Sequence, residues 1–223
     1  MNELSLNRLA PLSGVLFLPL IIGAFLLLGE TPDTDDPSLA VVEYWEDNGD
    51  ATQLAALLQV LAAATVAWFG GCLRVALRES EPAPGRLSAV AFGGSLIAAT
   101  GILIFAGVDF MLGETVGDVP PAVTHTFSVM DENFFFPVAG GFIIMLLATG
   151  VVAIRTGALP SWLGWVSLLI AVVMLTPAGF AGFLATLLWI PIVGVILYLR
   201  EGRGAAARPA APPAPPSGPG VTG

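Results

Sequence analysis

Stretches free of charge, each about as long as one bilayer crossing, divide this chain more clearly than any motif does. Uncharged runs occupy 9–29, 51–73, 87–108 and 133–154, and a fifth, 156–199, is about twice as long. A transmembrane helix needs about 20 apolar residues to cross roughly 30 Å of hydrocarbon, because unpaired backbone groups cannot face lipid. The first four runs each predict one span. The long run is interrupted by Thr176-Pro177-Ala178-Gly179 and predicts a helical hairpin. The expected fold is therefore all-α, a polytopic membrane bundle of six transmembrane helices at about 9–29, 51–73, 87–108, 133–154, 158–175 and 181–199, within one membrane domain, 1–203. Pro11 sits near the start of its span, where a missing N–H costs little, whereas Pro19, Pro137 and Pro191 are expected to bend helices or mark their ends.

The polar intervals carry patterns of their own. Between Ser38 and Asp47, Leu39, Val42 and Trp45 recur at helical spacing with acids opposite. This predicts a short helix on the membrane surface, with Tyr44 and Trp45 at headgroup level. Asn48-Gly49 would end it, and Asp50 would cap the next span with Gln53 in the capping-box position. Further on, Val123, Phe127, Met130 and Phe134 share one helical face while His125, Ser128 and Glu132 share another, predicting an amphipathic lead-in to the fourth span. The Pro/Ala/Gly tail, 204–223, has too few apolar side chains to fold and reads as a disordered cytoplasmic extension. Arg8-Leu9 through Glu30 and Arg86-Leu87 through Asp109 echo one another as possible repeated hairpins, although shared hydropathy is the simpler cause.

Composition agrees with a lipid-facing chain: 56% of residues are hydrophobic and 11% charged, against roughly 45–50% and 25% in ordinary soluble domains. Orientation is read from the basic residues, which cytoplasmic loops retain. The chain has no lysine, and its arginines, Arg8, Arg74, Arg78, Arg86, Arg155, Arg200, Arg203 and Arg208, all fall on one side of a six-span model. That side is expected to be the cytoplasm, with both termini there and the protein in the plasma (inner) membrane. Of the 17 acidic residues, eight lie from Glu30 to Asp50 and five from Asp109 to Glu132, so 13 fall outside or at the outer boundary. The first apolar run is longer than the 7–15 residues typical of a signal-peptide core and no clear A-x-A site follows it, so it reads as a retained span.

Chemistry is sparse. A single cysteine, Cys72, excludes an intrachain disulfide or a multi-thiolate site within one chain. Asp33, Asp35 and Asp36 resemble the start of a calcium loop but lack its glycine and closing glutamate at the required spacing, which leaves a solvated acidic loop. His125 beside Asp131 and Glu132 could form a proton or metal site, yet one histidine supplies neither an H-E-x-x-H pair nor the paired axial ligands of a membrane haem. Asp109 ends an apolar run and is expected at the solvated interface; if buried, it would mark an ion path. Gln59 is expected at the depth of Thr100 on the neighbouring antiparallel helix, in a structural hydrogen bond. Paired glycines, Gly70-Gly71, Gly93-Gly94 and Gly140-Gly141, read as close-packing positions. No Walker loop, dinucleotide fingerprint or nucleophile elbow is present, and no basic patch supports nucleic-acid binding. The candidate polar site is thus Gln59, Thr100, Asp109, His125, Asp131 and Glu132, with no catalytic, metal or cofactor residues assigned.

Several strings, Trp68-Phe69-Gly70-Gly71-Cys72-Leu73-Arg74, Phe134-Phe135-Phe136-Pro137, Arg155-Thr156-Gly157-Ala158-Leu159-Pro160-Ser161-Trp162 and Thr176-Pro177-Ala178-Gly179-Phe180 among them, resemble a group of uncharacterised multi-pass membrane proteins of actinobacteria. The resemblance covers about residues 8–201. It implies a six-helix inner-membrane protein and brings no catalytic residues with it. The resulting expectation is a non-enzymatic membrane component or partner-binding scaffold, needing no cofactor and associating with the lipid bilayer and other membrane proteins. A small-solute or ion transporter module is the alternative. A membrane-embedded enzyme is the third reading, since only Asp109, His125, Asp131 and Glu132 could supply acid–base groups.

Overall fold

The computed structural model describes residues 9–133 and 135–206, with 201–206 described by their backbone alone. Every regular element among the described residues is helical. A 3₁₀ turn, Ala10–Leu12, leads into α1, Ser13–Leu28. It is followed by α2, Ser38–Asp47; α3, Gly49–Ser80; α4, Arg86–Thr115; α5, Pro121–Asn133; α6, Phe136–Thr156; α7, Ser161–Met174; and α8, Gly179–Ala206. Five stretches are long and apolar enough to cross a membrane: Ala10–Leu28, Gly49–Ser80, Arg86–Thr115, Gly179–Arg200, and Pro121–Thr156, which comprises α5 and α6. The fifth expected span is the 14-residue α7, about 21 Å long at 1.5 Å per residue. It is apolar but shorter than the other five, so six crossings do not follow from helix length.

Two helices outrun the intervals that charge alone marks out. α3 continues past Arg74 and Arg78, and α4 continues past Asp109 to Thr115. Charge near a helix end does not break a helix when the side chain finds a partner. The Arg74 guanidinium lies 5.5 Å from the centre of the Phe92 ring, and Arg78 donates to the Glu81 carbonyl at 3.0 Å. Glu81 then caps α4, accepting the Leu87 and Ser88 backbone N–H groups at 2.9 Å each. The capping box expected at Asp50 does not form. α3 already begins at Gly49, and the Gln53 amide donates instead to Glu114 at 3.0 Å. Pro137 falls in the first turn of α6, whereas Pro19 and Pro191 lie inside α1 and α8.

Six helices form a closed ring in the order α1, α3, α4, α6, α7, α8, with α8 returning to α1. Phe17, Phe69, Phe142, Met145, Leu146, Trp189 and Ile190 fill its middle with almost no exposure. The tightest crossing joins α4 and α6. A Cβ at Gly141 would come within 2.2 Å of the Ala98 nitrogen, and one at Gly94 within 2.5 Å of the Met145 nitrogen. Only hydrogen fits there, so the two backbones touch. Outward faces are apolar too: Leu26, Leu61, Trp68, Leu169 and Leu188 are all more than half exposed. Such an exterior is compatible with lipid rather than water as the surroundings.

The ring has chemically distinct ends. α4 and α6 run antiparallel, with Gly94 beside Met145 and Gly101 beside Val138, which brings Arg86 and Arg155 to the same end. Arg200 joins them by donating to the Ala158 carbonyl in the α6–α7 connection. Arg8, the side chains of Arg203 and Arg208, and the tail from 207 onward lie outside the described residues. The opposite, acidic end is covered by α2 and α5. The face that α2 buries is not the expected one: Val41 and Trp45 are fully buried, while Leu39 is 73% exposed. Trp45, the bulkiest side chain available, sets the rotation by filling the space among Ala24, Leu28, Ala55, Val108 and Leu112. On α5, Thr124 and Ser128 are buried and Phe127 and Met130 pack against the same cluster. Phe134, expected on that face, is outside the described residues.

Candidate functional site

At the acidic end the ring does not close over its own axis. A cavity of about 330 Å³ opens there between α1, α3, α4, α6 and α8, beneath α5. Its wall is apolar and aromatic, with Phe25, Phe105, Phe135, Phe180 and Phe183 around it and Ile21, Ile102 and Val138 among its other apolar residues. Phe183 is the hub: its ring meets that of Phe135 edge-on at 5.0 Å and lies 6.3–6.4 Å from Phe25, Phe142 and Phe180. The polar side chains of the lining are Thr31, Gln59, Asp109, Asp131 and Glu132, with no arginine, lysine or histidine.

Gln59 and Asp109 form the inner polar pair. Gln59 Nε2 donates to Asp109 Oδ2 at 2.6 Å, and the two residues are 5% and 1% exposed. Asp109 is therefore buried, not at the solvated interface as its place in the sequence suggested. The reason is the continuation of α4 to Thr115, which carries the carboxylate more than a turn inside the helix end. Thr100 is not part of the pair. Its exposed hydroxyl bonds the Leu96 carbonyl of its own helix at 2.9 Å, on the outward face of α4. Depth matching by helical rise misses the true partner because helical side chains lean towards their own N-terminus. On antiparallel helices Gln59 and Asp109 lean towards each other, which bridges an axial offset. Three acceptor atoms on the lining remain buried without a hydrogen-bond partner among the described residues: Asp109 Oδ1, Gln59 Oε1 and Asp131 Oδ1.

Asp131 and Glu132 come from α5, and the rest of the predicted cluster secures that helix. Thr34 donates its hydroxyl to Glu132, while His125 Nδ1 shares a hydrogen bond with Ser38 Oγ at 2.9 Å and Nε2 faces the Thr34 carbonyl at 3.2 Å. His125 thus fastens α5 to α2 and the loop before it, and it does not line the cavity. Tyr44 donates to the Leu28 carbonyl and ties α2 to the end of α1. Burial pushes the Tyr44 hydroxyl above its ordinary value, and the neighbouring Asp109 and Asp131 carboxylates add to the effect. In the acidic loop, Asp33 Oδ1 and Asp36 Oδ2 accept backbone N–H groups of Thr34 and Asp33 at 2.8 and 2.9 Å, so both carboxylates hold their own turn. Among the described residues no three histidine, cysteine, aspartate or glutamate side chains gather closely enough to hold a metal ion.

The aromatic wall does not stand out in charge or hydropathy along the sequence. A usable signal exists in Ile102, Phe105 and Asp109, which stand at i, i+3 and i+7 and so share a helix face with the carboxylate. Fold and site together define an all-helical protein, compatible with a membrane, whose ring of helices holds a carboxylate-lined aromatic cavity at one end. No family model, curated protein or solved structure matches the chain.

Proposed function

We propose that the protein is a non-enzymatic, multi-pass component of the plasma membrane that captures a small solute in its acidic-end cavity from the outer side. The observation that carries this reading is the Gln59–Asp109 pair, a buried carboxylate with one oxygen lacking a hydrogen-bond partner, on residues that line a space large enough for a ligand. Six crossings place both termini in the cytoplasm, with α7 as a short sixth span that local thinning of the bilayer accommodates. The arginine end is then cytoplasmic, which satisfies the retention of basic residues there.

Transport is the second reading, favoured by Pro19 and Pro191, which lie inside the neighbouring helices α1 and α8 and give them places to bend. Against it stands the packed middle of the ring, where Phe17, Phe69 and Phe142 close the path below the cavity. Cysteine labelling in intact cells tests the arrangement in a Cys72→Ser background. Thr31→Cys, on the cavity rim, reacts with a membrane-impermeant maleimide, and Glu79→Cys reacts only after permeabilisation. The reverse pattern overturns the orientation, and solute flux through liposomes containing the purified protein replaces capture with transport.

A further inference from the structure

The buried unpartnered polar atoms of the residues lining the cavity are all acceptors. Asp109 Oδ1, Gln59 Oε1 and Asp131 Oδ1 each lack a hydrogen-bond donor, one N–H of the Gln59 amide is committed to Asp109 Oδ2, and no basic side chain lines the space. A ligand that completes this site brings donors, and one that also brings positive charge favours the ionised form of the two aspartates. A divalent metal would want several hard ligands, and no three histidine, cysteine, aspartate or glutamate side chains gather for one among the described residues. The rest of the wall is phenylalanine, whose ring faces attract cations and whose bulk accepts hydrocarbon. Resting on the capture function above, we infer that the ligand is a primary organic ammonium with an apolar body: its N–H groups reach Asp109, Gln59 and Asp131, and its hydrocarbon lies among Phe105, Phe135 and Phe183. Two sources offer that chemistry, a free hydrophobic amine and the headgroup of an aminolipid.

The test uses the full chain in nanodiscs of phosphatidylglycerol and phosphatidylcholine, which contain no primary amine, titrated with 2-phenylethylammonium and with neutral 2-phenylethanol by calorimetry. The ammonium is expected to bind and the alcohol to bind at least about ten-fold more weakly, the loss appropriate to a charge-assisted hydrogen bond. Asp109→Asn and, as a second variant with the inner pair intact, Asp131→Asn are each expected to weaken ammonium binding about ten-fold while leaving the alcohol unchanged. Adding phosphatidylethanolamine to the discs separates the sources: competition with the probe assigns the site to a lipid headgroup, and undiminished binding assigns it to a free amine. Equal binding of ammonium and alcohol, insensitive to both variants, overturns the ligand class but leaves solute capture standing. Binding of neither probe to a folded protein in either lipid mixture overturns both.

Discussion

Glu81 illustrates how much one side chain can organise where two long helices turn. Burial acts to raise its pKa, but the N–H groups of Ser88 and Leu87, with the Arg78 charge, outweigh it and hold the carboxyl below its ordinary value of 4.5. A carboxyl lowered on folding contributes stability that is present above the unfolded value and is lost as pH falls through the folded one. Glu81→Ala is therefore expected to cost about 1 kcal/mol at neutral pH, the usual cost of losing a helix cap. The gap between wild type and variant should narrow as unfolding is followed below pH 4.5. Gly141 sets a harder limit. Its missing Cβ would meet backbone rather than a yielding side chain, whereas a Cβ at Gly140 would meet nothing within 4 Å. Gly141→Val is expected to lower the thermal midpoint in detergent sharply, by at least the ~1–3 kcal/mol of an overpacked core. Gly140→Ala should leave it unchanged, and equal effects from the two would contradict the close approach of α4 and α6.

Among the elements, α2 has its bulkiest anchor in one side chain. Trp45 is fully buried beside Val41, with the Tyr44 ring edge-on to it at 4.9 Å, and the Tyr44–Leu28 and Ser38–His125 hydrogen bonds tie the helix at its edges. Trp45→Ala should cost about 3–5 kcal/mol locally and release α2, seen as faster amide hydrogen exchange across 38–47. Leu39→Ala, on the exposed face, should not alter that exchange. The existence of this helix was legible in the sequence because its apolar residues recur at helical spacing. Its rotation was not, because Leu39, Val42 and Trp45 on one face and Val41 and Trp45 on another fit the same stretch, and only the shape of the receiving surface decides between them. The spans behave alike. Charge-free intervals locate α1, α3, α4, α6 and α8, but their ends are set by partners for Arg74, Arg78 and Asp109 that no one-dimensional pattern contains.

At the scale of the whole molecule, the closure of the ring is a property of three dimensions alone, since α1 and α8 are nearly the full chain apart. The Phe25 and Phe183 rings meet across that junction at 6.4 Å. In a Cys72→Ser background, Phe25→Cys with Phe183→Cys should be joined by a short bis-maleimide, read as a mobility shift on a gel; an open bundle with α8 elsewhere would give none. The candidate site was half legible for the same reason. Asp109, Gln59, Asp131 and Glu132 stand out as rare polar groups next to apolar runs, but depth alone points wrongly to Thr100 and gives no sign of the phenylalanines. Sequence registers the scarcity of polar groups, whereas convergence of side chains depends on which way each helix faces.

The two aspartates of the cavity are also mounted differently. Asp109 sits on α4, wedged into the ring by glycine contacts, while Asp131 sits on α5, moored by Thr34–Glu132 and His125–Ser38 at the edge. A guest spanning both is a clasp between a frame and its cover. Its arrival would tighten the cover and its departure slacken it, so that the amides of 121–133 become a gauge of whether the chamber is filled.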